Sequence, residues 1–261
     1  MGDGNQKQDW EFVAEKLCIS FGGLKAVSDF SLRLKPMELF GLIGPNGAGK
    51  TTAFNLITGV YQPDSGKLEL GGENLIGLPP YNIAKSGIAR TFQNIRLFAD
   101  LSVLDNVMVS YHMRIQYGYA SAILRTTRFF TVENELKEHA FSLLKLMGLE
   151  HRADDQAKNL SYGNQRRLEI ARALATHPKV LLLDEPAAGL NSKEKVDLMN
   201  TVSEIRNRFK VTVLLIEHDM KLVMGICERI TVLDHGEIIA EGPPKEIQEN
   251  PKVVEAYLGV S

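Results

Sequence analysis

Cysteine is scarce in this 261-residue chain: Cys18 and Cys227 stand alone and far apart. Two such thiols make no disulfide framework, which reads as a reducing compartment and two inert sulfurs. Neither charge is in excess, since 30 Lys plus Arg face 32 Asp plus Glu for a net charge of −2. That balance argues against a chain that works by wrapping nucleic acid, because such binding needs clustered Lys and Arg. Long apolar runs are missing as well. The longest, residues 180–183 and 211–216, are strand-sized, far below the roughly 20 residues that span a bilayer. Work at a membrane would therefore require docking onto something that spans it. Residues 1–6 carry no basic-then-apolar export pattern, and Gln6 stands where myristoylation needs Ser or Thr. Internal repeats, low-complexity tracts and sustained heptads are lacking too. Yet 44% of the residues are hydrophobic, enough to offset chain entropy, so one large domain or two modest ones is expected.

What is present is patterned. Leu39–Ile43, 180–183 and 211–216 are apolar at consecutive positions, as in parallel strands covered on both faces. Each runs into polar, unusual sequence: GPNGAGK, DEPAAGLN and EHDM in turn. Ligands of open α/β sheets bind beyond the carboxyl ends of the strands, so these loops are expected to meet at one site. Helical periodicity follows each loop. One helix over Lys50–Ile57 should stop at a left-handed Gly59. Another, with the stripe Val196, Met199, Val202 and Ile205, should take Ser192 as N-cap. Leu136, Ala140, Leu143 and Met147 form a third stripe ended by Gly148, and a last helix opens at Asn250 and Pro251. Residues 12–34, 67–70 and 230–240 read as antiparallel strands, the last turned by Asp234-His235-Gly236. The expectation is one α/β domain over 1–261. Within it, 10–97 and 160–240 would be a catalytic core with an N-terminal antiparallel β-subdomain, 98–159 an inserted helical subdomain, and 241–261 a helical tail.

Gly44, Pro45, Asn46, Gly47, Ala48, Gly49, Lys50, Thr51 and Thr52 fit G-x-x-x-x-G-K-[ST] between a strand and a helix. Glycines let successive backbone N–H groups turn inward around an anion, and the helix adds its unsatisfied donors and positive end. Lys50 would bridge the β- and γ-phosphates while the Thr51 hydroxyl holds Mg²⁺. A plain glycine-rich turn would not need the strand before it and the helix after it. In the second strand Asp184 would also hold Mg²⁺. Glu185, directed elsewhere by strand alternation, would act on water as a general base, a role worth about 10²–10⁴-fold in rate. These residues describe a P-loop NTPase with a RecA-like mixed sheet.

Three further segments narrow the reading. Leu160-Ser161-Tyr162-Gly163-Asn164-Gln165-Arg166-Arg167 resembles the signature motif of ATP-binding-cassette proteins, Thr91-Phe92-Gln93 their Q-loop, and Ile216-Glu217-His218-Asp219 their switch histidine. With the phosphate loop and the Asp184-Glu185 pair this makes five motifs in order, and the resemblance covers essentially the whole chain. It implies ATP and Mg²⁺ as ligands. Gln93 would sense Mg²⁺ or the attacking water, His218 would touch the γ-phosphate and orient Glu185, and Phe21 would stack on adenine. Ser161 and Gly163 would grip a nucleotide held by a second ATPase subunit, identical or not. The usual LSGGQ is altered here by Tyr162 and Asn164, and Asn191 stands where the family carries an Asp that acts across the dimer.

Within the family the chain is most similar to the larger ATP-binding subunit of bacterial branched-chain amino-acid importers. The similarity rests on GIARTFQNIRLF, the SYG form of the signature, DEPAAGLN, IEHDMKLVM and the NPKVVEAYLG end. It implies two transmembrane permease subunits, an indirect extracytoplasmic substrate-binding protein, and a place at the cytoplasmic face of the inner membrane. Residues 111–130 resemble an insertion of those subunits. There Arg114, Arg125 and Arg128 alternate with aromatics, which suits a solvated loop first and a membrane or partner surface second. An exporter or lipopolysaccharide-extracting ATPase would share every catalytic motif. A non-transport ATPase of this family would carry long coiled coils or two cassettes, and a small-molecule kinase would have no use for the signature or His218.

Overall fold

The computed structural model describes residues 10–111 and 127–258. The expectations for residues 1–6, for Arg114 and Arg125, and for the side chain of Arg128 lie outside the described residues. Two sheets organise the rest. β1 (Phe12–Phe21), β2 (Leu24–Leu34), β4 (Ser65–Leu70) and β5 (Glu73–Asn74) form an antiparallel sheet in the order β2-β1-β4-β5. The second sheet has six strands in the order β10-β9-β3-β8-β7-β6. Its members are β3 (Leu39–Ile43), β6 (Ile88–Arg90), β7 (Val180–Asp184), β8 (Thr212–Ile216), β9 (Arg229–Asp234) and β10 (Glu237–Gly242).

Successive residues of the central strands go to opposite faces, and both faces are covered. Leu39, Ile43, Leu181, Leu183, Val213 and Leu215 join one apolar cluster, with the helices. Phe40, Leu42, Val180, Leu182, Leu214 and Ile216 join the other, with the antiparallel sheet. Burial on both sides is why these strands read as unbroken apolar runs. β9 differs from expectation. It runs parallel to β3 inside the main sheet, and only its partner β10 is antiparallel, across a turn with His235 and Gly236 at φ 45° and 82°. Two positive φ values at the centre of a two-residue loop match the twist of the paired strands.

Helices connect the strands: α1 (Lys50–Ile57), α2 (Pro80–Ser86), α3 (Val103–Tyr111), α4 (Thr127–Leu146), α5 (Tyr162–Leu174), α6 (Ser192–Phe209), α7 (Met220–Ile226), α8 (Pro244–Glu249) and α9 (Pro251–Leu258). Gly59 and Gly148 take the left-handed backbone at the ends of α1 and α4. The N-cap of α6 is Asn191 rather than Ser192. Its side chain accepts from the N–H groups of Lys193 and Glu194, and Glu194 returns a bond to the Asn191 N–H. Asn caps as well as Ser, and Glu194 three residues on completes the reciprocal box, which sets the boundary one residue earlier. Val196 is exposed, so the buried stripe of α6 is Leu198, Met199, Val202 and Ile205. α8 is a short helix with Pro243 as N-cap, Pro244 at its first position and Asn250 as C-cap.

Candidate active site

β3, β8 and β7 lie side by side and parallel, so the loops after them converge at one end of the sheet. The first is the phosphate loop. A Cβ on Gly44 would come 2.0 Å from the Leu233 carbonyl oxygen, and one on Gly49, at φ 100°, 2.7 Å from that of Ala26. Only glycine permits so close a path. The β9–β10 turn pins the loop: the Gly236 N–H donates to Ala48 O at 3.0 Å, while Gly236 O accepts from the Ser28 N–H at 2.8 Å. Lys50 folds back so that its Nζ donates to the carbonyls of Gly44 and Pro45, both at 2.8 Å. Burial draws its ammonium below the ordinary lysine range, against the opposing pull of the Glu185 and Asp184 carboxylates. The cleft beside it has a volume of about 480 Å³ and is lined by residues 46–52, Gln93, Glu185 and His218, with Leu24, Lys25, Ala26 and His235 on its rim.

Glu185 follows β7 and has φ 48°. This left-handed backbone lies one residue past the last of β7, with its N–H still donating to Ile216 O at 2.9 Å. A bulky residue held there marks local strain, of the kind that gathers at functional sites. Gln93 Nε2 donates to Glu185 Oε2 at 3.0 Å, and His218 Nε2 lies 2.5 Å from Glu185 Oε1. Beneath them Glu217 is buried. Its carboxylate accepts from the N–H groups of Ala187 at 2.7 Å and His218 at 3.2 Å. Burial raises its pKa above the usual carboxylate range, and those two N–H groups hold it back.

Asp184 is nearly wholly buried and its Oδ2 accepts from Arg90 Nη2 at 2.7 Å. Arg90, on the edge strand β6, also donates to Asn55 Oδ1 at 2.7 Å. Removing one member of such a buried pair typically costs about 3–5 kcal/mol, because the other charge is left uncompensated. Asp184 Oδ1 is buried and has no protein partner. Among the described residues no group of three or more His, Cys, Asp or Glu could hold a metal unaided. A hard cation that keeps water and phosphate oxygens needs no such cage. Thr51 on the cleft wall and the unpartnered Asp184 oxygen fit that requirement for Mg²⁺.

The segment 91–93 is held from behind by α5. Glu169 Oε1 accepts from the Phe92 N–H at 3.1 Å, and Arg166 donates to the carbonyls of Phe92 and Gln93. Burial lifts the Glu169 carboxyl above its ordinary range, opposed by the Phe92 N–H and by Arg166. Neither β6 with Arg90 nor the Arg166–Glu169 pair was evident in the sequence; the Arg166-Arg167 doublet in the signature was its only trace.

Other predicted residues lie elsewhere. Ser161 caps α5 in an extended conformation, exposed, with no side-chain capping bond, and Gly163 packs beside Leu190. Neither lines the cleft that holds Lys50. Phe21 is half-exposed at the end of β1, edge-on to Tyr61 with ring centroids 5.2 Å apart. Leu24, past the Gly22-Gly23 turn, reaches the cleft lining in its place. The Asn191 side chain is engaged as the cap of α6 within its own chain.

Comparison with known proteins places this geometry. The ABC transporter family profile matches residues 27–188, and that of the branched-chain amino acid ATP-binding cassette transporter matches 237–261. The chain is 50% identical over 243 residues to the high-affinity branched-chain amino acid transport ATP-binding protein LivG of Salmonella typhimurium, covering 93% of this chain and 95% of LivG. It resembles the crystal structure of an ATP-binding cassette of an ABC transporter in its ADP conformation, with TM-score 0.83 and 32% identity over 96% of this chain and 99% of the other. A dimeric cassette bound to ADP and Pi in a post-hydrolysis state has TM-score 0.75 and 26% identity, covering 89% of this chain and 98% of that one. With its phosphate loop, paired acids and flanking glutamine and histidine assembled as described, the chain belongs to the ABC transporter family, as one of its ATP-binding cassettes.

Proposed function

We propose that this chain is the ATP-hydrolysing subunit of a branched-chain amino-acid importer, driving uptake through separate membrane subunits. The observation that carries the chemistry is Glu185, held by Gln93 on one oxygen and His218 on the other at the mouth of the phosphate-loop cleft. Lys50 exchanges its two loop carbonyls for the β- and γ-phosphates. Glu185 takes a proton from the attacking water, and Gln93 and His218 fix its orientation, His218 also meeting the γ-phosphate. Thr51 and Asp184 would hold Mg²⁺, which neutralises charge on the phosphates when bound. Adenine sits at the rim formed by Leu24, with Phe21 alongside. Leucine, isoleucine and valine as cargo follow from the likeness to LivG and the match over 237–261.

The head of α5 supplies the second half of the reading. Ser161 and Gly163 present a hydroxyl and a helix N-terminus away from their own cleft, which suits a nucleotide held by a second ATPase subunit, a copy or a companion. The dimeric cassette with ADP and Pi is in keeping with this. ATP bound from both sides favours the closed pair, and hydrolysis removes that differential contact. A groove of about 660 Å³ runs between 88–98 and α5, suited to a helix of either permease subunit. No helix among the described residues is long and apolar enough to cross a membrane. From the likeness to LivG, the chain would act at the cytoplasmic face of the membrane, the binding protein acting on the far side. Glu185→Gln tests the reading: it should bind ATP yet lose hydrolysis and uptake about 10²–10⁴-fold. Turnover near wild type would remove Glu185 as the base.

A further inference from the structure

Tyr162 is the residue by which the signature departs most from its commoner form, and it is bonded inward. Its ring lies on the loop after β7: a Cβ on Gly189, at φ 75°, would come 3.0 Å from Tyr162 Cε1. Its hydroxyl accepts from Arg166 Nη2 at 3.0 Å. The same Nη2 donates to the Gln93 carbonyl, and Nη1 donates to the Phe92 carbonyl and to Glu169 Oε2, the latter at 3.1 Å. Arg166 is only 1% exposed, whereas Tyr162 is 45% exposed at the head of α5. Each Nη2 proton therefore has one acceptor, and the Tyr162 oxygen is the outer one. From Gln93 the path is a single bond to Glu185, 3.0 Å long.

We propose that Tyr162 is a positioning residue: through Arg166 it holds the backbone at Phe92 and Gln93 so that the Gln93 amide stays on Glu185. The head of α5 is thereby tied to the water-activating carboxylate of its own chain. Without the hydroxyl, one buried Nη2 proton loses its acceptor while the bonds to Phe92, Gln93 and Glu169 remain, so the guanidinium is held on one side only and the Gln93 carbonyl is fixed less tightly. A glycine at this position, as in the commoner signature, offers neither the oxygen nor the ring that packs on Gly189.

The inference rests on the ATP-hydrolysing reading, and its test separates the two. Steady-state hydrolysis by the full chain, with its ATPase partner, a copy or a companion, present, is compared for wild type, Tyr162→Phe, Gln93→Ala and the double variant. Binding of a fluorescent ATP analogue and thermal unfolding are followed in parallel. Tyr162→Phe should lower kcat by about tenfold, the scale of one hydrogen bond to a charged group, with KM and analogue binding unchanged and the unfolding midpoint lowered by only a few degrees. Gln93→Ala should lower kcat more, and adding Tyr162→Phe to it should change nothing further. Tyr162→Gly should lose at least as much as Tyr162→Phe, again only while Gln93 is present. Wild-type-like kcat in Tyr162→Phe, or a loss that multiplies with that of Gln93→Ala, overturns the proposal alone. A wild-type chain that hydrolyses no ATP even with its ATPase partner, a copy or a companion, present overturns the reading beneath it and the proposal together.

Discussion

Two helix N-termini carry the proposed nucleotide contacts, and they are finished differently. At α1 the phosphate loop carries its own cation, Lys50, bonded to two loop carbonyls, and faces Glu185, Gln93 and His218 of the same chain. At α5 the cap is Ser161, exposed and making no capping bond, with no lysine folded over it. At the first, a lysine and the acid-glutamine-histidine group gather from one chain; at the second nothing of the same chain does. On the proposed reading that difference is why one polypeptide holds the residues of hydrolysis and still requires another to use them.

The comparison can be broken at either end. The largest effect is expected at the phosphate loop: Lys50→Ala removes the ammonium that would meet the β- and γ-phosphates. Nucleotide affinity should fall on the order of 10²-fold, the scale of losing a charge contact in a desolvated site. Tight ATP binding by that variant in equilibrium titration would break the loop assignment. Next is the head of α5. Ser161→Ala should leave ATP binding by the lone chain intact while weakening ATP-driven dimerisation about tenfold. Size-exclusion chromatography with and without ATP reads this, and an unaltered dimer peak would mean that the α5 head is not a nucleotide contact. The smallest effect sharpens the boundary between cap and contact. Asn191→Ala should cost about 1 kcal/mol in denaturant unfolding, since the reciprocal box on α6 is lost, and Asn191→Asp should keep that stability. A stability unchanged by Ala would return Asn191 to a role outside its own helix.

What was legible in the sequence follows from what depends on neighbours along the chain. Consecutive apolar residues in β3, β7 and β8 report burial on two faces, and the glycines and lysine of 44–52 report a local anion nest, so the sheet centre and its loops were readable. The cap of α6 was misplaced by one residue although Glu194 three positions after Asn191 carried the signal. Glu185 lies one residue past β7 at φ 48°, a backbone set by the fold that no β-pattern describes. Arg90 and Arg166 were out of reach. Their partners, Asp184 and the Phe92–Gln93 carbonyls, are more than seventy residues away in sequence, and only the placement of β6 and α5 brings them together. The contribution of Leu24 to the cleft lining was out of reach too, because residue type carries no information on which side of a Gly-Gly turn meets the cleft.

The claim beneath all of this is that the cleft of one chain is completed by the α5 head of another. Its most direct measure is the hydrolysis rate per molecule on dilution at saturating ATP, with this chain and its ATPase partner, a copy or a companion, kept at equal amounts. The account predicts that specific activity falls steeply once the pair dissociates and recovers on concentration. Activity per molecule that stays constant down to extreme dilution would contradict it.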